Sequence, residues 1–391
     1  MTGNQTTARP AAPAGGGVPA RGTAPGKDAG SAAGAGSAAE AVRPRSAGRG
    51  TGVLTLGRAV ALPVRRASVL AALATTLLLL AAAVATLSMG RLGVPLAELP
   101  TALLGGAEGK EEFVIERLRG PRLVVAIGTG AALGLSGTLF QTVTRNPLGS
   151  PDVIGLAAGA GAGAAAAALF LPGVLPVPLG ALAGAVLAML LVYVSTGTGF
   201  RSPGRLIVAG IGVAAIAAAF TQYVVYVVER DAATVLTAYV NGSLEARDWD
   251  HAATIWLVLL LVVPAAGLIG RRLDIIEMGD ELASGLGAEP RNTRVAAVVL
   301  SVVLSAAAVS VAGPIAYIAL TAPQIARRLT RAAGAHLTLS ALVGALLLVL
   351  ADLAAQQLPT PRTLPVGVYT MALGGVYLGY LLIREWRRKT L

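Results

Sequence analysis

Few side chains in this sequence are equipped for chemistry. Cysteine is absent and the histidines are His251 and His336 alone, so disulfides, thiolate metal sites and an imidazole metal cluster are all excluded. No metal or other cofactor is expected. An enzyme working at membrane depth would want clustered His, Asp, Glu or Cys, and no such cluster is present; no catalytic residue is expected. Asp352 is the acidic residue deepest within apolar sequence. An ionised carboxylate at the centre of a membrane span costs roughly 2.5–3.5 kcal/mol on insertion scales, and such a group suits a proton relay. Its place near the end of its apolar run equally suits a structural or gating role. Gly159-Ala160-Gly161-Ala162-Gly163 superficially matches a dinucleotide loop, but no strand precedes it. A Gly-x-x-x-x-Gly-Lys-[Ser/Thr] phosphate loop is also missing, so ATP hydrolysis by that route would require a partner.

Two other patterns carry potential for binding. Thr221, Gln222, Tyr223 and Tyr226 decorate an otherwise apolar run, with Gln222 and Tyr226 one helical turn apart. A polar face of that kind lines a cavity or bonds to another helix. Asp280-Glu281-Leu282-Ala283-Ser284-Gly285-Leu286-Gly287 reads as a short helix Glu281–Leu286. Asp280 is its expected N-cap, Glu281 lies in its first turn, and Gly287 follows its end. Leu282 and Leu286 then form an apolar pair on one side.

The elements that must hold these residues are membrane helices. Not one Asp, Glu, Lys or Arg occurs between Val153 and Phe200, and Leu171 to Pro178 breaks that run near its middle. A soluble helix needs a polar face; a bilayer span needs roughly 20 apolar residues. The stretch therefore reads as a helical hairpin in a membrane. Similar runs occupy 69–88, 123–144, 206–228, 252–270, 295–312, 336–351 and 365–383, with a shorter one at 314–326. The expected fold is an all-α polytopic bundle of about ten spans. Arg145, Arg205, Arg271, Arg272, Arg327, Arg328, Arg331 and Arg384 fall on alternate connections, which places both termini in the cytoplasm by the positive-inside rule. Gly128, Gly130, Gly134 and Gly137 on one span, and Gly155, Gly159 and Gly163 on the next, suit close helix approach.

The net charge of +11 raises the question of nucleic acid, but most of it sits in the first 66 residues. That segment is rich in Gly, Ala, Pro, Ser and Thr and cannot bury enough apolar surface to order itself. Residues 1–62 are expected to be a disordered cytoplasmic tail, either a solvated extension or a regulatory or lipid-binding arm. Residues 63–391 form the membrane domain. Lipid is an expected partner and nucleic acid is not.

Several segments are more specific than a generic membrane helix. They run Arg119-Gly120-Pro121-Arg122, Gly134-Leu135-Ser136-Gly137, Arg145-Asn146-Pro147-Leu148, Asn241-Gly242-Ser243-Leu244, Met278 to Gly287, Gly313-Pro314, Ala322-Pro323-Gln324-Ile325-Ala326-Arg327-Arg328, Ala351-Asp352-Leu353 and Leu364-Pro365-Val366-Gly367. In that order, over residues 68–384, they resemble the FecCD-type permeases, the membrane subunits of importers for iron-siderophores, heme and cobalamin. The resemblance implies a multi-pass protein of the cytoplasmic membrane and a ferric siderophore as cargo. It also implies a second permease subunit, two ABC ATPase subunits inside and a substrate-binding protein outside. It implies that Asp280, Glu281, Leu282, Ser284, Leu286 and Gly287 couple to the ATPase. Arg119, Arg122 and Arg362 would dock the binding protein; lipid headgroups or Glu111, Glu112 and Glu116 are the other candidate partners for the first two. Gln222, Tyr223, Tyr226, Asn241, Gly242 and Ser243 would line the pathway. Gln324, where the family often has His, and Ala372-Leu373-Gly374-Gly375 resemble the catecholate-siderophore branch, whose permeases often pair as unlike subunits. The rival reading is a proton-coupled secondary transporter.

Overall fold

A computed structural model describes residues 51–389, apart from 57–59, 91, 107, 198–202, 228–235, 238, 332–333 and 359–363. The segment 1–50, most of the tail expected to lack structure, lies outside the described residues, as does Arg362. Residues 51–56 and 60–62 of the expected tail are among those described. Strands Thr51–Leu56 and Val60–Arg65 pair antiparallel, Thr51 opposite Arg65 and Leu56 opposite Val60. Val53, Leu54, Leu56, Val60, Leu62 and Val64 supply the apolar and β-branched content that the Gly/Ala/Pro-rich sequence before them lacks.

The rest is helical. In chain order the principal helices are α1 (Arg66–Ser88), α2 (Arg119–Thr144), α3 (Leu156–Phe170), α4 (Val177–Ser195), α5 (Pro203–Val227), α6 (Trp249–Glu277), α7 (Asp280–Gly285), α8 (Pro290–Ala312), α9 (Ile318–Thr330), α10 (Leu337–Gln357) and α11 (Val366–Lys389). Seven helices among the described residues are long and apolar enough to cross a membrane. With α3, the apolar part of α11 and the short α9, these account for the spans expected from the apolar runs. At 13 residues, α9 is about 20 Å long, short of the ~30 Å hydrocarbon core.

α2 is the central helix, packed on α10, α8, α6 and α9, while α1 and α5 leave most of their surface outward. Several of its polar side chains bond within the bundle. Ser136 Oγ lies 2.8 Å from both the Ser301 carbonyl and Ser305 Oγ, tying α2 to α8. The second close pair is α3 with α4. A Cβ on Gly163 would stand 2.1 Å from the Gly180 carbonyl oxygen, so these backbones touch only because the side chain is hydrogen. Gly155 of the same repeat does different work: at φ +95° it begins α3 from the left-handed region.

Candidate functional site

α7 is a small element held firmly. Gly279, at φ 121° and ψ 153°, occupies a conformation that suits glycine and turns the chain out of α6. The helix starts at Asp280, one residue earlier than expected, and Asp280 does not cap it. Its carboxylate is claimed by cations instead. Arg294 Nη1 donates to Oδ2 at 2.9 Å and Arg294 Nη2 to Oδ1, while Arg145 Nη2 reaches Oδ1 at 2.6 Å and the Ile276 carbonyl at 2.7 Å. Hydrogen bonds from Arg294, reinforced by Arg145, hold this carboxyl below the usual aspartate range. At the other end Gly287, at φ +75°, donates to the Ser284 carbonyl and Ala288 donates to that of Ala283, a Schellman closure. Ala283 and Ala288 pack on Ile276 beneath. Ser284 Oγ bonds back to the Asp280 carbonyl. Glu281 points to the surface, and Leu282 and Leu286 are 60% and 65% exposed on a helix that cannot turn them inward.

The same end of the bundle gathers Arg145 after α2, Arg271 and Arg272 in α6, Arg294 in α8, and Arg327, Arg328 and Arg331 at the end of α9. Arg328 stacks over Tyr377 and Tyr380 of α11, 5.4 and 5.7 Å from the ring centroids.

At the opposite end two of the expected docking arginines, Arg119 and Arg122, bond within the chain. Arg119 is buried, and its Nη1 donates to the carbonyls of Thr86 at 2.8 Å and Met89 at 2.5 Å, satisfying the open end of α1. Arg122 does not pair with Glu111, Glu112 or Glu116. Its Nε and Nη2 form a fork on Asp352 of α10 at 2.7–3.1 Å, and Gln356 Nε2 bonds the second carboxylate oxygen at 2.7 Å. Asp352 is 1% exposed and fully engaged, the arrangement of a structural ion pair. Nearby, Trp249 Nε1 donates to the Glu116 carbonyl, and an open cleft is lined by Glu116, Arg117, Asp248 and Asp250.

The residues expected along the pathway divide. Gln222, Tyr223 and Tyr226 share the outward side of α5, with Tyr226 90% exposed; Thr221 is buried and bonds its own helix. Asn241, Gly242 and Ser243 lie instead in a junction of broken backbone. Ser243 N donates to the Ala312 carbonyl and Gly367 N to that of Gly242. Gly242, at φ +73°, leaves room for Pro314: a Cβ there would sit 2.5 Å from its carbonyl oxygen. Gly242 and Ser243 are buried, so they knit α8, α9 and α11 together and do not line an open surface; close packing is what their small size serves. Asn241 is half-buried, its Nδ2 on the Thr237 carbonyl. Irregular backbone of this kind at membrane depth is tolerated only inside protein or beside a water-filled cavity.

Comparison with known proteins decides what this bundle is. Residues 77–384 match the FecCD transport family. The chain belongs to that family. Among its relatives is the ferric enterobactin transport system permease protein FepG of Escherichia coli (strain K12), 41% identical over 322 residues that cover 81% of this chain and 98% of FepG. The achromobactin transport system permease protein CbrC of Dickeya dadantii (strain 3937) is 37% identical, covering 79% of this chain and 90% of CbrC. A solved chain described as a metal-chelate type ABC transporter in an inward-facing conformation superposes with a TM-score of 0.71 at 25% identity, over 80% of this chain and 98% of that one. For a FecCD-family protein the all-α membrane bundle is thus the shared architecture.

Residues that sequence reasoning passed over include Arg145 and Arg294, which clamp Asp280, and Gln141, which meets α9. A signal for Arg145 existed: it closes an apolar helix just before Asn-Pro, where a glycine would be cheaper at φ +48°.

Proposed function

We propose that this chain is a permease subunit of an ABC importer that carries a ferric siderophore across the cytoplasmic membrane. The observation that carries the reading is α7. Two leucines stand exposed on a short, doubly anchored helix at the arginine-rich end of the bundle. The positive-inside rule puts that end in the cytoplasm, with both termini. Leu282 and Leu286 then present an apolar knob to an ABC ATPase subunit, with Glu281 and Ser284 beside them and Asp280 and Gly287 holding the helix ends. The missing phosphate loop agrees with ATP being hydrolysed by that partner. The outward polar side of α5, with Gln222, Tyr223 and Tyr226, supports a pathway completed by a second permease subunit, identical or related. A substrate-binding protein delivers the chelate from outside; the cleft beside Glu116 and Asp248 is a surface open to it. The cargo class follows FepG, whose name specifies ferric enterobactin. The chain performs no chemistry on its cargo. Proton coupling is disfavoured by Asp352, whose carboxylate is held by Arg122 and Gln356.

Replacing Leu282 and Leu286 by Asp tests the reading. Each buried leucine contributes roughly 1.5–3 kcal/mol to an interface, and an unpaired buried carboxylate adds a further penalty. The ATPase should no longer co-purify, while the permease's thermal melt stays unchanged. An ATPase that stays bound to the double variant contradicts the assignment.

A further inference from the structure

Between α2 and α3 the chain makes a short loop, Arg145 to Gly149, and this loop touches two separate elements, α7 and α9. On one side Arg145 reaches α7: its Nη2 bonds Asp280 Oδ1 at 2.6 Å and the last turn of α6 at the Ile276 carbonyl, 2.7 Å. Two residues on, the Pro147 carbonyl accepts from Gln324 Nε2 of α9 at 2.8 Å. The loop between these points is held by its own hydrogen bonds. Asn146 N donates to Gln141 O and Arg145 N to Thr142 O, closing α2 in a Schellman turn. Asn146 Oδ1 accepts from Leu148 N at 2.9 Å, and Gly149 N bonds the Asn146 carbonyl at 2.9 Å.

Gln324 is gripped from behind as well. Its Nε2 donates to Gln141 Oε1 at 3.0 Å, and Gln141 Nε2 donates to the Leu320 carbonyl at 3.0 Å. Gln141 is buried, so these bonds are shielded from water. Gln141 Nε2 also reaches the Ala319 carbonyl at 3.5 Å, the one that Pro323, having no N–H, leaves without its helical donor.

α9 is set off from α8 by broken backbone. It falls short of a full span, and its start is a non-helical stretch from Gly313, at φ +72°, to Tyr317, at φ +70°. A non-glycine residue held in the left-handed region costs of order 1 kcal/mol or more and persists where the surroundings demand it. Arg145 carries the same cost at φ +48°. Glycine would avoid it but would forfeit the guanidinium.

We propose that Arg145 and Gln324 are positioning residues that carry motion of α7 through the 145–149 loop to the half-helix α9. Neither touches cargo or nucleotide. When a partner displaces α7, Asp280 draws Arg145 with it, and the Pro147 carbonyl passes the shift to Gln324 and the α9 end. The inference rests on the reading of α7 as the ATPase contact.

The absence of cysteine makes the test direct. A single Leu329→Cys substitution on the half-exposed last turn of α9 carries an environment-sensitive fluorophore. The full permease, assembled with its ATPase in lipid nanodiscs, is then trapped with ATP and vanadate. The unaltered background should show a fluorescence change on trapping. Arg145→Ala and Gln324→Leu should each cut that change, taken per bound ATPase, at least ~5-fold, the lower range of coupling between sites, while Gln324→Leu keeps ATP hydrolysis and the thermal melt near the unaltered values. Arg145→Lys, which keeps a cation near Asp280, should restore part of the response. Together, Arg145→Ala and Gln324→Leu should do no more than either alone, since both cut one link. A full response in both single variants overturns the proposal. So does a response lost only in step with ATPase binding, which would make Arg145 a simple anchor for α7. Failure of the unaltered permease to bind the ATPase would instead overturn the reading of α7.

Discussion

Asp152 shows how one side chain can tie stability to pH. It lies in the turn Pro151–Ile154 between α2 and α3, where Ser150 caps the backbone and Asp152 Oδ1 is enclosed without a hydrogen-bond partner. Burial pushes its carboxyl up to about 6, against the smaller opposing pull of the Ser150 hydroxyl. A carboxyl whose folded pKa exceeds its unfolded value of about 3.9 favours folding while protonated, so this contribution is lost as pH rises from about 4 to about 6. Asp152→Asn should therefore stabilise the protein by about 3 kcal/mol at neutral pH and by almost nothing at the acid limit of that window. Thermal melts at both pH values check this, and equal shifts would contradict it. Asp280 has the opposite sign. Its lowered pKa means that the clamp on α7 is intact at neutral pH and fails only on acidification below the usual aspartate range. The pair Arg122–Asp352 makes a third case. Removing one partner, as in Asp352→Ala, strands a guanidinium and should cost roughly 3–5 kcal/mol, whereas replacing both with apolar residues of similar volume should cost far less. Chemical or thermal unfolding of the two variants compares them; equal losses would mean that the charges do not interact.

At the scale of elements, composition was a good guide wherever burial in lipid was the dominant force. The apolar runs from 69 to 383 located the helices, and Gly159 and Gly163 announced the close α3–α4 contact. Gly163→Leu should separate that hairpin and lower the melting temperature sharply, because a Cβ already collides with backbone; an unchanged melt would show that α3 and α4 do not need their close contact. The Leu282 and Leu286 knob was also legible, from an i, i+4 pair ahead of a closing glycine. Ion pairing was not. Asp280 reads as a cap when only its neighbours are known, and Arg145 and Arg294 reach it from far along the chain. Arg122 had three glutamates close in sequence, yet its partner is Asp352, which the packing of α2 on α10 brings across. The burial of Gly242 and Ser243 likewise depends on where α8 and α11 break, which no local pattern encodes.

For the whole molecule, the family and the bundle were readable from ordered motifs that are individually weak, while the strands at 51–65 were hidden behind a low-complexity tail. Removal of residues 1–50 should leave membrane insertion and uptake nearly intact, since their composition supports no packed core; loss of either in the truncated protein would give the segment a function. The central claim is that ATP hydrolysed by a partner drives a ferric chelate through this bundle. The most direct measurement is uptake of radio-iron-loaded enterobactin into proteoliposomes holding the permease with its partner subunit, ATPase and binding protein. Uptake should persist when a protonophore collapses the pH gradient and stop when vanadate blocks ATP hydrolysis. Uptake that survives vanadate but fails with the protonophore would contradict the account.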